Sequence, residues 1–423
     1  MENAIKKLFY SIGLLFAANL FLFSVHTITF VKIRTLKKTI FAASVLLSLW
    51  GCQSKSESAD KKLADSKQYS ANVNISLDPV EVKRYHDVVE DYLNSTLLRR
   101  NRFSGGILIA KNGTIVYEHY TGYRDRRLKD SITANTPLQI ASTGKTFTGA
   151  AVLKLVQEGK LGLNDDLTKF FPGFPYPGVT VKLLLNHRSG LPNYLYYLEK
   201  SGWNKKVFLT NNDVLQTLMT LKPPRTANPD RRFQYCNTNY VLLALIIEKV
   251  SGQSYPVYMK ANFFDPLQMN NTYVVTLADS LQRNQSYNAT GGIWQMDYTD
   301  GPYGDKNIYS TPRDLLKWDQ SFYNNTILNQ NTLDSAYTPY SNERPSMHNY
   351  GLGWRLLMLK NGKKIIYHNG HWHGFNSAFA RLPDEKATII ILGNKYNSSI
   401  YTTARKLYNV FGPYGENGMQ ELE

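Results

Sequence analysis

The chain is 423 residues long, 43% hydrophobic, 13% aromatic and 19% charged. That length is more than one hydrophobic core normally serves, and the composition excludes disorder and a collagen-like or coiled-coil rod. With 49 basic against 33 acidic side chains the net charge is +16. The excess is scattered along the chain, so it reads as a solvated surface and no nucleic-acid partner is expected. No repeat of solenoid length recurs. Cys52 and Cys236 are the only cysteines, too few for a disulfide framework.

At the N-terminus an apolar stretch from Leu8 to Phe30 is followed by a basic run (Lys32, Arg34, Lys37, Lys38) and a second apolar stretch, Ile40 to Trp50, which ends in Leu49-Trp50-Gly51-Cys52. A basic region, a short apolar core and a small residue before the cut describe a secretory signal. With Cys directly after Gly it resembles a bacterial lipoprotein signal, which implies that Cys52 is lipidated and becomes the mature N-terminus. A buried helix with a free thiol is the weaker reading, because the polar residues that follow leave it nothing to pack against. The first apolar stretch is long enough to cross a bilayer, but the stronger basic cluster lies after it and would put its N-terminus outside. Val31 therefore reads as the true translation start. Gln53 to Asn74, rich in Ser, Lys, Asp and Ala, reads as a flexible tether. The expected organisation is a targeting segment over 1–51, a tether over 52–76 and a folded domain over 77–415, held at the cell envelope of a bacterium by a lipid on Cys52, on the periplasmic or outer-membrane side.

In the folded part, Pro79 to Arg99 carries a helical apolar pattern. Gly105–Lys111 and Thr114–Tyr120 read as strands joined by Asn112-Gly113, a dipeptide that tolerates the positive φ of a tight turn. Helical patterns follow over Thr146–Glu158, Asn212–Leu221, Tyr240–Val250 (with Gly252 as C-cap) and Thr311–Tyr323. Trp354–Lys360 and Lys363–Tyr367 read as a hairpin around Asn361-Gly362, and Phe375–Leu382 and Ala387–Leu392 as two further strands, before a closing helix over Ile400–Val410. Runs of strands and runs of helices argue α+β. The expected fold is an antiparallel sheet built from both ends of the chain (77–141 and 346–415) and flanked by helices, with a mainly helical lobe, 142–345, inserted between them. A cleft between lobes is the natural place for a site.

Ser142-Thr143-Gly144-Lys145 opens an apolar helix. Residues three apart share a helix face, so the hydroxyl and the amine are neighbours, beside the unpaired N–H groups of a helix start. A serine needs a base to become a nucleophile, and a desolvated lysine can supply one. Alone the pattern is weak: it recurs at Ser58–Lys61 in the tether, and a serine at a helix start is often only a cap. Tyr235-Cys236-Asn237 precedes a second apolar helix. A phenol near an ammonium can relay a proton and an amide can fix a carbonyl, though Tyr-x-Asn occurs five times in the chain, and a half-buried Tyr with a capping Asn is the plainer account. His368-Asn369-Gly370 ends one strand shortly before Gly374 and Phe375 begin the next. Glycine there lets backbone approach a ligand, and the following N–H groups can face a cleft. The rival reading is a metal bound by His368, His371 and His373, but the neighbourhood lacks the further ligands a zinc site uses, and no metal or cofactor is expected.

The order of the three motifs, with Leu184-Leu185-Asn186-His187-Arg188-Ser189-Gly190-Leu191-Pro192, Ser310-Thr311-Pro312-Arg313-Asp314-Leu315 and Tyr350-Gly351-Leu352-Gly353-Trp354 around them, resembles the serine β-lactamase and penicillin-binding-protein superfamily. The similarity is to the branch of class C β-lactamases, D-alanyl-D-alanine carboxypeptidases and related esterases, and runs from Phe103 to Asn394. It implies a β-lactamase/transpeptidase-like fold and a serine hydrolase working through an acyl-enzyme on an ester or amide: a D-amino-acid peptide from cell wall, a carboxylester or a β-lactam. It implies that Ser142 is acylated, that Lys145 and Tyr235 share acid–base work, that Asn237 orients the substrate, and that backbone N–H groups of Ser142 and His371 form an oxyanion hole beside His368 and Gly370. His368 stands where typical β-lactamases have lysine; a His is only partly charged near neutral pH, which argues against strong β-lactamase activity. His187 to Gly190 reads as a structural turn. A monomer is expected. The alternatives are a non-catalytic sensor or cell-wall-binding module that keeps the fold, and a zinc hydrolase.

Overall fold

A computed structural model describes residues 77–99 and 102–415; Cys52 and the targeting and tether segments lie outside the described residues. Helix α1 (Pro79–Ser95) starts on Asp78, whose carboxylate accepts the Val80 N–H, and has Pro at its first position, where a missing N–H costs nothing. Strands β1 (Gly105–Lys111) and β2 (Thr114–Thr121) form the first hairpin, with positive φ at Asn112 (50°) and Gly113 (77°) as the turn requires. A small ribbon, β3 (Tyr123–Asp125) and β4 (Asp130–Ser131), follows.

After β5 (Leu138–Gln139) come α2 (Lys145–Gln157), α3 (Val181–Leu185), α4 (Tyr194–Lys200), α5 (Asn211–Leu221), α6 (Asn237–Ser251) and α7 (Tyr255–Met259). Then β6 (Tyr273–Val274), β7 (Ile308–Ser310), α8 (Pro312–Ser321) and α9 (Gln330–Ala336) lead to β8 (His348–Tyr350), β9 (Arg355–Met358), β10 (Lys364–Trp372), β11 (Phe375–Leu382), β12 (Ala387–Gly393) and α10 (Ser399–Leu407). The hairpin expected around Asn361-Gly362 differs in detail. Strand β9 stops at Met358, and only Gly362 (φ 82°) adopts positive φ, because the chain reverses over Leu359 to Lys363, with the Gly362 N–H bonded to the Leu359 carbonyl (3.0 Å) and the Leu359 N–H to the Lys363 carbonyl (2.9 Å).

The main sheet has the order β2-β1-β12-β11-β10-β9-β8 and is antiparallel throughout. Its centre joins the two ends of the chain: β1 pairs with β12 from Gly105↔Gly393 to Lys111↔Ala387. Both faces are covered, which is why these strands read as unbroken apolar runs. Leu108, Ile390 and Leu392 enter the core shared with α2 and α6, and Ile107, Ile109, Ile389 and Ile391 enter the core under α1 and α10. Each such side chain contributes roughly 1.5–3 kcal/mol of burial. Helix α6 is buried on every side from Thr238 to Ile247, and α2 nearly so, because both run through the first of these cores. Three short strands in the order β5-β7-β6, too short to show a period, hold the segment before Ser142.

Candidate active site

Ser142 sits on a tight turn. Ile140 is tied to β7 by its N–H to the Ile308 carbonyl (2.9 Å), and buried Ala141 adopts φ 48°, a left-handed conformation that costs a non-glycine residue about 1–2 kcal/mol. A short 3₁₀ turn, Ala141–Gly144, then runs into α2. The turn is clamped to the sheet by hydroxyls. Ser377 Oγ donates to the Ile140 carbonyl (2.7 Å), and Thr143 Oγ1 donates to the His368 carbonyl (3.1 Å) and lies 2.9 Å from Ser377 Oγ.

Lys145, the first residue of α2, has no exposed surface. Its Nζ donates to Ser142 Oγ (3.1 Å) and to the Asp305 carbonyl (2.7 Å), and among the described residues it forms no ion pair. The ammonium also lies 5.1 Å from the Tyr235 ring centroid and 5.6 Å from that of Tyr240. Ser142 is only half-buried.

Tyr235 is delivered by the loop that opens α6, and Asn237 is the first residue of that helix, half-buried. The Tyr235 ring packs against His187 (centroids 4.3 Å), and the Arg355 guanidinium lies 5.2 Å from its centroid. His187 is fully buried, with φ 57°; its Nδ1 accepts the Cys236 N–H (3.2 Å), which fixes the backbone one residue after Tyr235. The turn read from sequence as structural is thus the seat of the Tyr235 ring. The Cys236 thiol is pushed up to about 11 by burial and is inert as a nucleophile.

Gly370 lies where β10 meets the Ser142 turn. A Cβ there would overlap the Ile140 carbonyl oxygen and Ser377 Oγ and come within 3.0 Å of the Ser142 nitrogen. β9 pairs with β10 only up to Tyr367, so beyond it that edge is left for the Ser142 turn. Trp372 and Phe375 flank the two-residue turn at the end of the hairpin, and His371 pairs with Asn376. In an antiparallel ladder bonded and non-bonded pairs alternate, so the His371 N–H points away from β11, off the free edge of β10. The His371 imidazole is exposed, near the Tyr396 ring (5.3 Å), with Nε2 3.0 Å from the His373 carbonyl.

His368 is placed differently from the expectation of a partly charged substrate contact. Its side chain has no exposed surface; Nδ1 lies 2.8 Å from the Asn369 carbonyl and Nε2 3.1 Å from the Tyr350 hydroxyl. Those partners assign the proton to Nδ1. Burial, then the nearby charges of Arg355 and Lys145, hold its pKa well below the ordinary value. It is a neutral prop beneath Tyr235 and Tyr350. His187 is likewise held neutral, by burial first and then by Lys145, His368 and Arg355.

Both imidazoles become basic again on unfolding, with an ordinary pKa of about 6.5. The unfolded chain therefore binds more protons below that pH, and stability falls as pH drops from about 6.5, by roughly 1.4 kcal/mol per pH unit for each histidine. Urea unfolding midpoints measured from pH 7.5 to 5 are expected to decline, and His368→Gln is expected to decline less steeply than the parent. Parallel curves would contradict the assignment.

Sequence reasoning missed several neighbours. Behind Lys145 lies a buried pair, Asp305 and Lys306: Tyr194 OH donates to Asp305 Oδ2 (2.9 Å), Lys306 Nζ donates to Tyr194 OH (2.5 Å), and that ammonium lies 4.6 Å from the Trp372 ring. Two charged residues in a glycine-flanked loop gave no sign of burial. Arg355 was read only as a strand residue. His368, His371 and His373 do not converge as metal ligands. Among the described residues, the one grouping of three potential ligands is Asp297, Asp300 and His373. There the Asp300 carboxylate is already engaged by the Trp372 indole N–H (2.6 Å), the Asp297 backbone N–H (2.6 Å) and His373 Nε2 (3.0 Å).

A serine hydrogen-bonded to a buried lysine, a tyrosine from the loop that opens α6 and a glycine strand edge converge here, and residues 85–408 match the family model described as Beta-lactamase. The chain belongs to the Beta-lactamase family. It is 33% identical over 329 residues to Penicillin-binding protein 4* of Bacillus subtilis (strain 168), covering 74% of this chain and 72% of that one. It is 32% identical over 307 residues to Protein flp of Staphylococcus aureus (strain MRSA252), covering 68% of this chain and 58% of that protein's length. The D-amino acid amidase of Ochrobactrum anthropi SV3, solved with L-phenylalanine amide, shares the fold with a TM-score of 0.63 at 22% identity, over 77% of this chain and 98% of that one. The Beta-lactamase family is one of serine hydrolases, and its antiparallel sheet with packed helices is the architecture seen here.

Proposed function

We propose that this chain hydrolyses an ester or amide through an acyl-enzyme on Ser142. The observation that carries the reading is the 3.1 Å hydrogen bond between Lys145 Nζ and Ser142 Oγ, made by a lysine with no exposed surface. Lys145 and Tyr235 share the acid–base work: the hydroxyl proton passes to this pair while Ser142 Oγ bonds to the substrate carbonyl carbon. The negative oxygen that forms is received by the backbone N–H groups of Ser142 and His371, an arrangement in which each donor is worth roughly 2.7–4 kcal/mol. Collapse of this intermediate expels the alcohol or amine, which takes a proton from Lys145 or through Tyr235. Water then repeats the sequence at the acyl-serine carbonyl. Asn237 orients the substrate.

The neutral, buried His368 offers no fixed cation at its motif position, and this favours D-amino-acid amides, short peptides or carboxylesters over β-lactams. The same reading places the protein at the cell envelope as a monomer, anchored through a lipid on Cys52 and acting on peptides derived from cell wall.

A panel of an aryl ester, a D-alanyl peptide amide and a chromogenic cephalosporin tests it. Turnover of the ester or amide is expected, slower or no turnover of the cephalosporin, and loss of all turnover in Ser142→Ala. Turnover that survives in Ser142→Ala, or none on any substrate, would count against it, the latter in favour of a binding module.

A further inference from the structure

A cleft of about 1160 Å³ opens between the loop that delivers Tyr235 and the loop that leads into β8, and its lining includes Arg231, Arg232, Arg344 and His348. Its charge is one-sided. The one carboxylate lining it, Glu343, is already bonded to Arg188 Nη1 and to the Phe233 N–H, both at 2.5 Å. Asp230, close by, is the second partner of Arg188. The side chains of Arg231 and Arg344 form no ion pair or hydrogen bond among the described residues, and the Arg232 side chain gives only one N–H, to the Thr226 carbonyl at 3.3 Å. Two polar atoms of the lining, Gln234 Oε1 and Ser341 Oγ, are buried without a partner.

The cleft adjoins the candidate active site through Phe233, whose ring meets those of His187 (6.0 Å) and Tyr350 (5.4 Å). Phe233 and Gln234 in its wall run directly into Tyr235, and the Arg355 guanidinium, also without a carboxylate partner among the described residues, packs against the Tyr235 ring at 5.2 Å. The Tyr235 ring thus has Lys145 Nζ at 5.1 Å and the Arg355 guanidinium at 5.2 Å from its centroid. Several guanidinium groups with free forks, beside one acid already spent, match planar oxyanions that accept two N–H bonds at once.

We propose that this cleft is a subsite for an anionic group, a carboxylate or a phosphate, carried by the acyl substrate away from its scissile bond. This rests on the serine-hydrolase reading and adds a substrate class to it: acidic esters or amides rather than neutral ones.

The test uses aryl esters with acyl chains of increasing length, ending in methyl, carboxylate or phosphonate, and compares kcat/KM within each length. At the length that spans the distance, an anionic ester is expected to be favoured about tenfold over its neutral counterpart. That ratio is expected to fall towards one in the Arg231→Gln/Arg344→Gln double variant and in high salt, which screens exposed charges. A preference for either anion supports the subsite, and the larger preference names its natural group. Hydrolysis of neutral and anionic esters with equal kcat/KM at every length, or a preference the double variant leaves intact, overturns it while leaving the hydrolase reading in place. Failure to hydrolyse any of the esters, with no labelling of Ser142 by a phosphonate, overturns the hydrolase reading instead.

Discussion

Lys145→Arg is expected to lower kcat/KM by roughly a thousandfold, although it keeps a positive charge at the same place. Lysine and arginine differ in the property that matters here: an amine can give up and regain a proton, whereas a guanidinium stays charged in a protein. If Lys145 acted only as a cation steadying Ser142 Oγ, the arginine variant would keep much of its activity. The site also has no room to spare. Lys145 Nζ is packed between Ser142 Oγ at 3.1 Å and the Asp305 carbonyl at 2.7 Å, with the Tyr235 and Tyr240 rings beside it. Lys145→Met, which removes the nitrogen and nearly keeps the volume, controls for crowding and is expected to fall as far. Steady-state kinetics on the best ester of the panel, with thermal unfolding to confirm folding, make the check; arginine activity within tenfold of the parent would refute proton transfer by Lys145.

The second large effect is expected from a single methyl group. Gly370→Ala puts a Cβ into the Ile140 carbonyl oxygen and Ser377 Oγ, and within 3.0 Å of the Ser142 nitrogen. Two of these three neighbours are backbone, so β10 or the Ser142 turn must move. Overpacking of this kind costs about 1–3 kcal/mol of stability. The displaced groups are also those proposed to hold the oxyanion, and a misplacement near 1 Å costs about a hundredfold in rate. The expected result is a modestly lowered Tm with kcat/KM reduced about a hundredfold. A variant with normal activity would show that the strand edge at Gly370 does not set the geometry of the reaction.

Both residues were legible in the sequence because their signals are local. The Ser142–Lys145 relation follows from helix spacing, and the turn at Asn112-Gly113 from the φ angles those residues tolerate. The sheet built from both ends of the chain was legible because strands buried on two faces, such as Ala387–Gly393, read as unbroken apolar runs. Depth was not legible. His368 and Lys306 look like surface residues in sequence, yet both are buried by elements far away in the chain, the loop before α6 and the end of β10 among them. Arg355 meets Tyr235 across 120 positions, a contact that no local pattern encodes. The strands β5, β6 and β7 are two or three residues long and give no period to read.

The most direct test of a lysine-primed serine is to react the folded protein with a fluorescent phosphonate, map the adduct by peptide mass spectrometry and time its formation. The chemistry proposed here predicts one adduct, on Ser142, forming far more slowly in Lys145→Arg. A label on another residue, or a Ser142 that reacts equally fast without the amine, would contradict it.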